Sequence, residues 1–316
     1  MHEFSYLKRL YYYGYLNDVA TYADPTEIAS DPNVDIVAVS VNVPGHYALT
    51  KPAIEAGKDV FVEWPLSRNL ADPEEIVQLA KEKGIKTMVG LQGRQNPSVL
   101  KAKEIVESGQ LGEILTTTMF GHGGIFGPTV EEGLLYLLPV ENGANLLTIP
   151  FRHAADALCY VLGEIKDITA TLVKKTAHDH VTVTGRLANG GGVVSATYVG
   201  GTSRDGRDFV WEIIGTNGSL LLEGPKQDGH IQTNQPTVKI ARSDPAVSST
   251  TAHLENVEIA DMSGIPHNVG KAWDAWIGVG LDKGHRAPTF EDALVRHKMI
   301  DAIYRSAEKG TRENYI

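Results

Sequence analysis

The chain has 316 residues, 42% hydrophobic and 22% charged, which is ordinary globular usage that argues against long disorder and suits two domains. Its formal net charge is -10, from 29 Lys and Arg against 39 Asp and Glu, so neither nucleic acid nor a membrane surface is an expected partner. The one cysteine, Cys159, excludes an internal disulfide framework and a Cys-rich zinc site and suggests a reducing compartment.

No secretory signal is visible at the front, because Glu3 and Lys8-Arg9 interrupt any apolar run. Nowhere do about 18 consecutive apolar residues occur, so no membrane span is expected and the default location is cytoplasmic. Residues 1–22 are Tyr-rich, holding Tyr6, Tyr11, Tyr12, Tyr13, Tyr15 and Tyr22. Aromatic rings carry large burial energies, so this segment reads as one that packs on the domain, or as a pocket wall or dimer contact.

From Asp35 the pattern is regular. Ile36 to Val43 is a continuous β-branched run, expected to be a strand buried on both faces. His46 to Ala56 reads as a helix stopped by Gly57, and Asp59 to Glu63 as a second strand. Asp72-Pro73 opens a helix, Asp as N-cap and Pro at the first turn, that runs to about Lys83 and stops at Gly84. Lys86 to Leu91 is a third strand, and Pro97 to Glu107 a helix closed at Gly109. Short connections imply right-handed parallel crossovers, so this is part of a doubly wound sheet.

After Gly112 the grammar changes. Ile114–Phe120, Ile168–Val173, Val181–Leu187, Gly192–Tyr198, Val210–Ile214 and Ser219–Leu222 read as short strands, with hairpin signals at Asn189-Gly190 and Asn217-Gly218. One helix is expected over Gly143–Leu162, and two more over Val269–Leu281 and Phe290–Ala307. Gln227 to Ser263 is polar and reads as a long surface loop with one or two weak strands. The fold class is α/β plus α+β: a truncated Rossmann-like domain over 1–112, then a substrate and oligomerisation domain over 113–316 on a largely antiparallel open sheet.

Four segments carry a resemblance: Asp31–Leu66, Gly90–Ile114, Asn142–Glu164 and Ala287–Gly310. In this order they resemble the glucose–fructose oxidoreductase, inositol dehydrogenase and MocA family of NAD(P)-dependent oxidoreductases. Within it they are similar to the fungal branch that includes the repressor of the yeast galactose regulon. Family members open with a strand, a Gly-rich turn and a helix, whose backbone N–H groups receive the pyrophosphate. This sequence joins the family pattern near the fourth strand, so that opening is expected to be missing. Other glycine clusters (Gly121–Gly127, Gly190–Gly192, and Gly278 with Gly280 and Gly284) lack the strand–turn–helix context.

Glu63-Trp64-Pro65 stands at the family's Glu-Lys-Pro. The resemblance makes that lysine the proton-handling cation beside the hydride-accepting carbon. An indole is uncharged and donates only, so Trp64 offers a pocket wall instead. Glu63 is either an acid–base group or a strand-end carboxylate pairing with Arg94. Asn42 and His46 match a turn that lies along the cofactor in the family, or else simply form a turn and cap.

His153 matches the family's active-site histidine, with Arg152 beside it. Its usual acidic partner one turn earlier is replaced by Ile149, next to Thr148. Asp156 lies three residues on and is expected to share a face with His153, fixing its tautomer. Gln92 and Arg94 follow the third strand at the sheet's ligand-binding edge, where Arg94 is a candidate for gripping a carboxylate or enolate. His122, Tyr136 and Tyr198 are further pocket candidates. His178 and His180 alternate on one strand without a third ligand, so no metal site is expected.

Three functions remain open. One is a redox-neutral enzyme with no cofactor, catalysing isomerisation, cyclisation or elimination on a small organic, secondary-metabolite-like substrate through His153, Arg152, Arg94 and Glu63. Another is an NAD- or NADP-dependent oxidoreductase. The third is a regulator acting by protein–protein contact. A homodimer is expected in each case. The first strand normally borders the fourth, so Ile36–Val43 becomes an open edge that needs cover from the Tyr-rich segment or a second subunit. Removing residues 1–20 is therefore expected to leave the protein insoluble; a soluble, folded deletion variant on gel filtration counts against this cover.

Overall fold

The computed structural model describes residues 20–174, 179–226, 228–242, 253–260, 266–280 and 285–316. The Tyr-rich residues 1–19 and His178 lie outside them.

Three β-branched runs form a parallel sheet of β1 (Ile36–Val39), β2 (Asp59–Val62) and β3 (Thr87–Val89), in that order. The short helix α1 (Pro25–Ser30) precedes it, capped by the Asp24 side chain accepting from Thr26 N. Helices α2 (His46–Glu55) and α3 (Ala71–Lys83) form the crossovers. Val37, Val39, Val60, Val62 and Val89 pack into one core with Ile54, Ile76 and Val77 from these helices. The opposite face presents Phe61 and Met88, which pack on α6 (Pro266–Trp276) through Ala272, Trp273 and Trp276.

That cover stops short of β1. Ala38 is in register with Phe61, yet Ala38 is exposed and Ile36 is 42% exposed. The expectation of a strand buried on both faces to Val43 is therefore corrected to four residues buried on one. Val43 itself belongs to a 3-10 turn, Val43–Gly45, leading into α2. A second correction concerns α3, which begins at Ala71. Asn69 Oδ1, not Asp72, accepts the N-terminal hydrogen bond, from Asp72 N at 2.9 Å.

After β3 come a 3-10 turn (Gln92–Gln95), α4 (Pro97–Glu107) and an eight-stranded sheet. Its strands are β4 (Ile114–Gly123), β5 (Ile165–Val173), β6 (His180–Leu187), β7 (Val193–Gly200), β8 (Phe209–Gly215), β9 (Gly218–Glu223), β10 (Thr237–Arg242) and β11 (Glu255–Asn256). The order is β11-β10-β9-β8-β4-β7-β6-β5, antiparallel except for β4 beside β7. The inner face packs on α5 (Arg152–Leu162) and α7 (Phe290–Lys309). Helix α7 also reaches back to α3 and β3, so the end of the chain ties the two sheets together.

The single helix expected over Gly143–Leu162 is two pieces, preceded by a separate turn. A 3-10 turn, Val140–Asn142, ends at Gly143 in the left-handed region, with φ 66°. A π-helical turn, Leu147–Phe151, follows and is closed by Phe151 N donating to Leu146 O at 3.1 Å; α5 then begins. Pro150 lies inside the turn, has no N–H to donate and resists regular α geometry, which accounts for the irregularity.

Asn96 joins the sheets at α4. Its Oδ1 caps the helix by accepting from Ser98 N at 2.9 Å, while Nδ2 donates to Ile231 O at 2.8 Å and Asn234 O at 2.6 Å. The Asn96→Ala variant is expected to lose about 2–4 kcal/mol of stability from the lost cap and two buried carbonyls left unpaired, measured by urea unfolding.

Candidate functional site

Glu63 and Trp64 follow β2, and the 3-10 turn Gln92–Gln95 follows β3; that turn packs on both α5, which carries Arg152, His153 and Asp156, and α6, which Glu63 faces. Arg94 forms a two-pronged pair with Asp156, Nε to Oδ2 at 2.8 Å and a terminal nitrogen to Oδ1 at 2.7 Å. Its other terminal nitrogen reaches Asp292 Oδ1 on α7 at 2.9 Å. Asp156 lies 3.5 Å from Arg296 Nε, and Arg296 pairs in turn with Glu164. Burial alone would raise the Asp156 carboxyl, but Arg94, Arg296 and Arg152 outweigh it and hold it below its ordinary value. Arg94 stays charged: its two carboxylates overcome the cost of burial.

The network takes the place of the expected His153–Asp156 pair. His153 Nδ1 has no partner among the described residues. Burial, with His230 and Arg152 nearby, pushes the imidazole down to about 3 against the pull of Asp156, so His153 is neutral. Arg152 points into the core between α5 and α7, where it donates to Met299 Sδ at 2.6 Å and lies against Phe151. Burial, then Arg296, lowers it to about 10.

Trp64 is buried, with its Nε1 donating to Thr148 O at 2.6 Å and its ring centre 5.0 Å from that of His297. The Thr148 hydroxyl oxygen accepts from Asn145 N at 2.8 Å. Glu63 is half-buried, and burial raises its carboxyl despite the Trp64 N–H that favours the charged form. Gly90 makes room for it: a Cβ at 90 would stand 2.3 Å from Glu63 Oε2. A cavity of about 10 Å³ remains, lined by Glu63, Gly90, Gln92 and the α6 residues Val269, Ala272 and Trp273. The buried Gln92 Oε1 has no partner among the described residues.

The other candidates are dispersed. His46 is buried with Nδ1 2.7 Å from Pro65 O and Nε2 2.9 Å from Val41 O, so it positions the turn that follows Trp64. Asn42 is exposed at the start of the 3-10 turn. Tyr136 is half-buried, and its carbonyl accepts from Asn142 Nδ2 at 2.7 Å. Tyr198 is a core residue, donating to Gly229 O at 3.1 Å. His122 falls on the outer sheet face, against Phe120. Among the described residues no group of three metal-ligating side chains occurs, and no helix is long and apolar enough to cross a membrane.

Sequence reading missed His230, Gln232, Asp292, Arg296 and His297. Gln232 Nε2 lies 3.2 Å from His230 Nδ1, and its Cα lies 3.9 Å from where a Cβ at Gly93 would stand. These two sit in the polar stretch taken for surface loop. The other three sit on α7, over 130 residues from α5, where no local pattern could reveal them.

Comparison with known proteins places this geometry. The oxidoreductase family with an NAD-binding Rossmann fold matches residues 15–91, and the Gal80p C-terminal domain matches residues 97–175 and 171–224. Dehydrogenase aclE of Aspergillus oryzae is 34% identical over 315 residues, covering 93% of this chain and 82% of that protein. The chain belongs to the Gfo/Idh/MocA oxidoreductase family. The galactose/lactose metabolism regulatory protein GAL80 of Saccharomyces cerevisiae is a further relative, 26% identical over 360 residues, covering 95% of this chain and 82% of that protein. In fold, a super-repressor mutant of Gal80p from Saccharomyces cerevisiae superposes with TM-score 0.83 at 24% identity, over 95% of this chain and 84% of that one. Levoglucosan dehydrogenase in complex with NADH and L-sorbose does so with TM-score 0.75 at 21% identity, over 93% and 83%.

The Gfo/Idh/MocA family implies a nicotinamide dinucleotide. The residues at the seam do not fit its ring as they stand: the open volume beside Glu63 is about 10 Å³, room for one water, and α6 roofs it.

Two buried histidines make stability pH-dependent. Burial holds both His153 and His297 at about 3, while an unfolded histidine titrates near 6.5. Above pH 6.5 both are neutral in either state. Below it the unfolded chain gains protons that the folded one excludes, so stability falls by about 2 kcal/mol per histidine between pH 6.5 and 5. Urea midpoints across this range should drop accordingly, and His297→Gln should flatten the slope by less than half, because burial also lowers His46 and His230.

Proposed function

We propose that this chain is a redox-neutral enzyme of its family, moving protons on a small organic substrate at the seam between Glu63 and His153. Isomerisation, cyclisation and elimination are the reaction classes that need only this. The carrying observation is Trp64. It stands where the family places a lysine, and its one N–H is already engaged by Thr148 O. No cation remains at that position to protonate or deprotonate an alcohol during hydride transfer.

What remains is suited to acid–base work. Burial raises the Glu63 carboxyl above its ordinary value, so it holds a proton more readily than an exposed carboxylate does. His153 is neutral, and its unpartnered ring nitrogen can hydrogen-bond the substrate, while its low basicity leaves proton transfer to Glu63. Gln92 supplies an unpartnered oxygen nearby. Arg94 and Arg152 are positioning residues in this reading, since one is held by two carboxylates and the other lies in the core. Substrate entry requires α6 to move aside, because the cavity beneath it holds only about one water.

A second reading, a regulator acting by protein contact, is favoured by the closed seam and by the GAL80 relatives. We also propose that the chain is cytoplasmic and forms a homodimer. The outer sheet face supports the dimer: Phe120, Val173 and Val193 stand exposed on it. Sedimentation at micromolar concentration would show a monomer if this is wrong.

Calorimetry with NADH and NADPH is the direct test, with no saturable binding expected at micromolar concentration. Incubated with a substrate, the protein should yield a product of equal mass, or one lighter by the mass of the eliminated fragment. His153→Ala and Glu63→Gln should each lower the rate by about 10²-fold or more. Micromolar NADH binding would overturn the proposal, and conversion unchanged by His153→Ala would favour the regulator.

A further inference from the structure

A second interdomain cavity lies next to Trp64 and takes no part in the proposed chemistry. Its volume is about 240 Å³, equivalent to about eight waters, so it can hold a small organic molecule. The loop after Pro65, the 3-10 turn at Val140 and helix α7 enclose it. Two of its lining residues, Thr148 and His297, are also the residues that contact the Trp64 indole.

The lining has a definite chemical character. Leu70, Val140 and Ile300 supply an apolar wall. Asp301 is already paired with Arg305 on the next turn of α7. Burial keeps His297 neutral, and its Nε2 has no partner among the described residues. Arg68 is exposed and has no ion pair among the described residues, which leaves one uncompensated positive charge on the lining. Its backbone is fixed from behind: a Cβ at Gly143 would stand 2.4 Å from Arg68 Cα, and Gly143 has φ 66°. Glycine at 143 thus lets the turn close on Arg68 and hold it at the cavity.

We propose that this cavity is a binding site for a small carboxylate with an apolar body. The carboxylate pairs with Arg68, and the body packs on Leu70, Val140 and Ile300. The inference stands apart from the acid–base reading of Glu63 and His153, and either can fail without the other.

Benzoate and its uncharged analogue benzamide are suitable probes for calorimetry on the full chain. Benzoate should bind saturably with Kd of about 1 mM, and benzamide at least about tenfold more weakly. Arg68→Gln, a surface change that leaves the fold alone, should weaken benzoate about tenfold and leave benzamide unchanged. Ile300→Trp, which fills the cavity, should abolish binding of both. The proposal is overturned if benzoate shows no saturable binding, if it binds no better than benzamide, or if its affinity is unchanged by either substitution.

Discussion

The interaction on which the rest depends is the grip of Arg94 on Asp156 and Asp292. It joins the turn after β3 to α5 and to α7, and so fixes the parallel sheet against the two helices that cover the eight-stranded sheet. A buried ion pair contributes little net stability relative to apolar packing, because both ions lose their water. Removing one partner is another matter, since an uncompensated charge is left inside. The planar guanidinium meets Asp156 with two parallel hydrogen bonds, so the pair specifies orientation as well as distance. The two sheets are thereby held in one arrangement.

That arrangement decides what the seam can do. With Asp156 held by Arg94 and Arg296, no carboxylate fixes the His153 ring, and burial keeps the ring uncharged. Such a histidine can hydrogen-bond a substrate but is a weak base and offers no positive charge to a developing alkoxide. Trp64 extends the same logic. Its N–H tightens the loop after β2 onto the π-helical turn, where a flexible lysine would have left a mobile cation. Both features leave the seam without a mobile positive charge at Trp64 or His153.

The sequence was most legible where one period governs the local structure. Parallel strands buried by crossovers are continuous β-branched runs, and Pro97–Glu107 is bounded by Asn96 and Gly109, so strands, helices and both sheet classes could be read. Two kinds of error have physical causes. Ile36 and Ala38 are as apolar as a doubly buried strand demands, but burial depends on what packs opposite, and α6 reaches only β2 and β3. Across Leu147–Phe151 the composition is helical, and only Pro150 signals that the hydrogen bonding must shift. In the site, the residues were legible and their partners were not. Asp156 has a nearer candidate in His153, three residues away, than in Arg94, 62 away. Helical spacing cannot show that a guanidinium from another sheet arrives with better geometry.

A family that includes both a dehydrogenase relative and a galactose regulator poses the question of what its members share. The conformational constraint on this chain suggests an answer. Besides Trp64 and Arg94 themselves, neighbouring side chains hold the segments around the seam by reaching backbone carbonyls: His46 reaches Pro65 O, Asn96 reaches two carbonyls of the 231–234 segment, and Asn268 reaches Gln232 O. A scaffold stabilised in this way tolerates exchange of the residue at the tip, lysine for tryptophan, without losing the seam. Function can then change by altering one side chain and what roofs it, while the fold is preserved by polar contacts one layer behind. In this chain the roof is α6, whose Asn268 anchor and Trp273 packing are independent of Glu63 and His153. The chemistry at the seam and access to it are thus set by separate parts of the sequence.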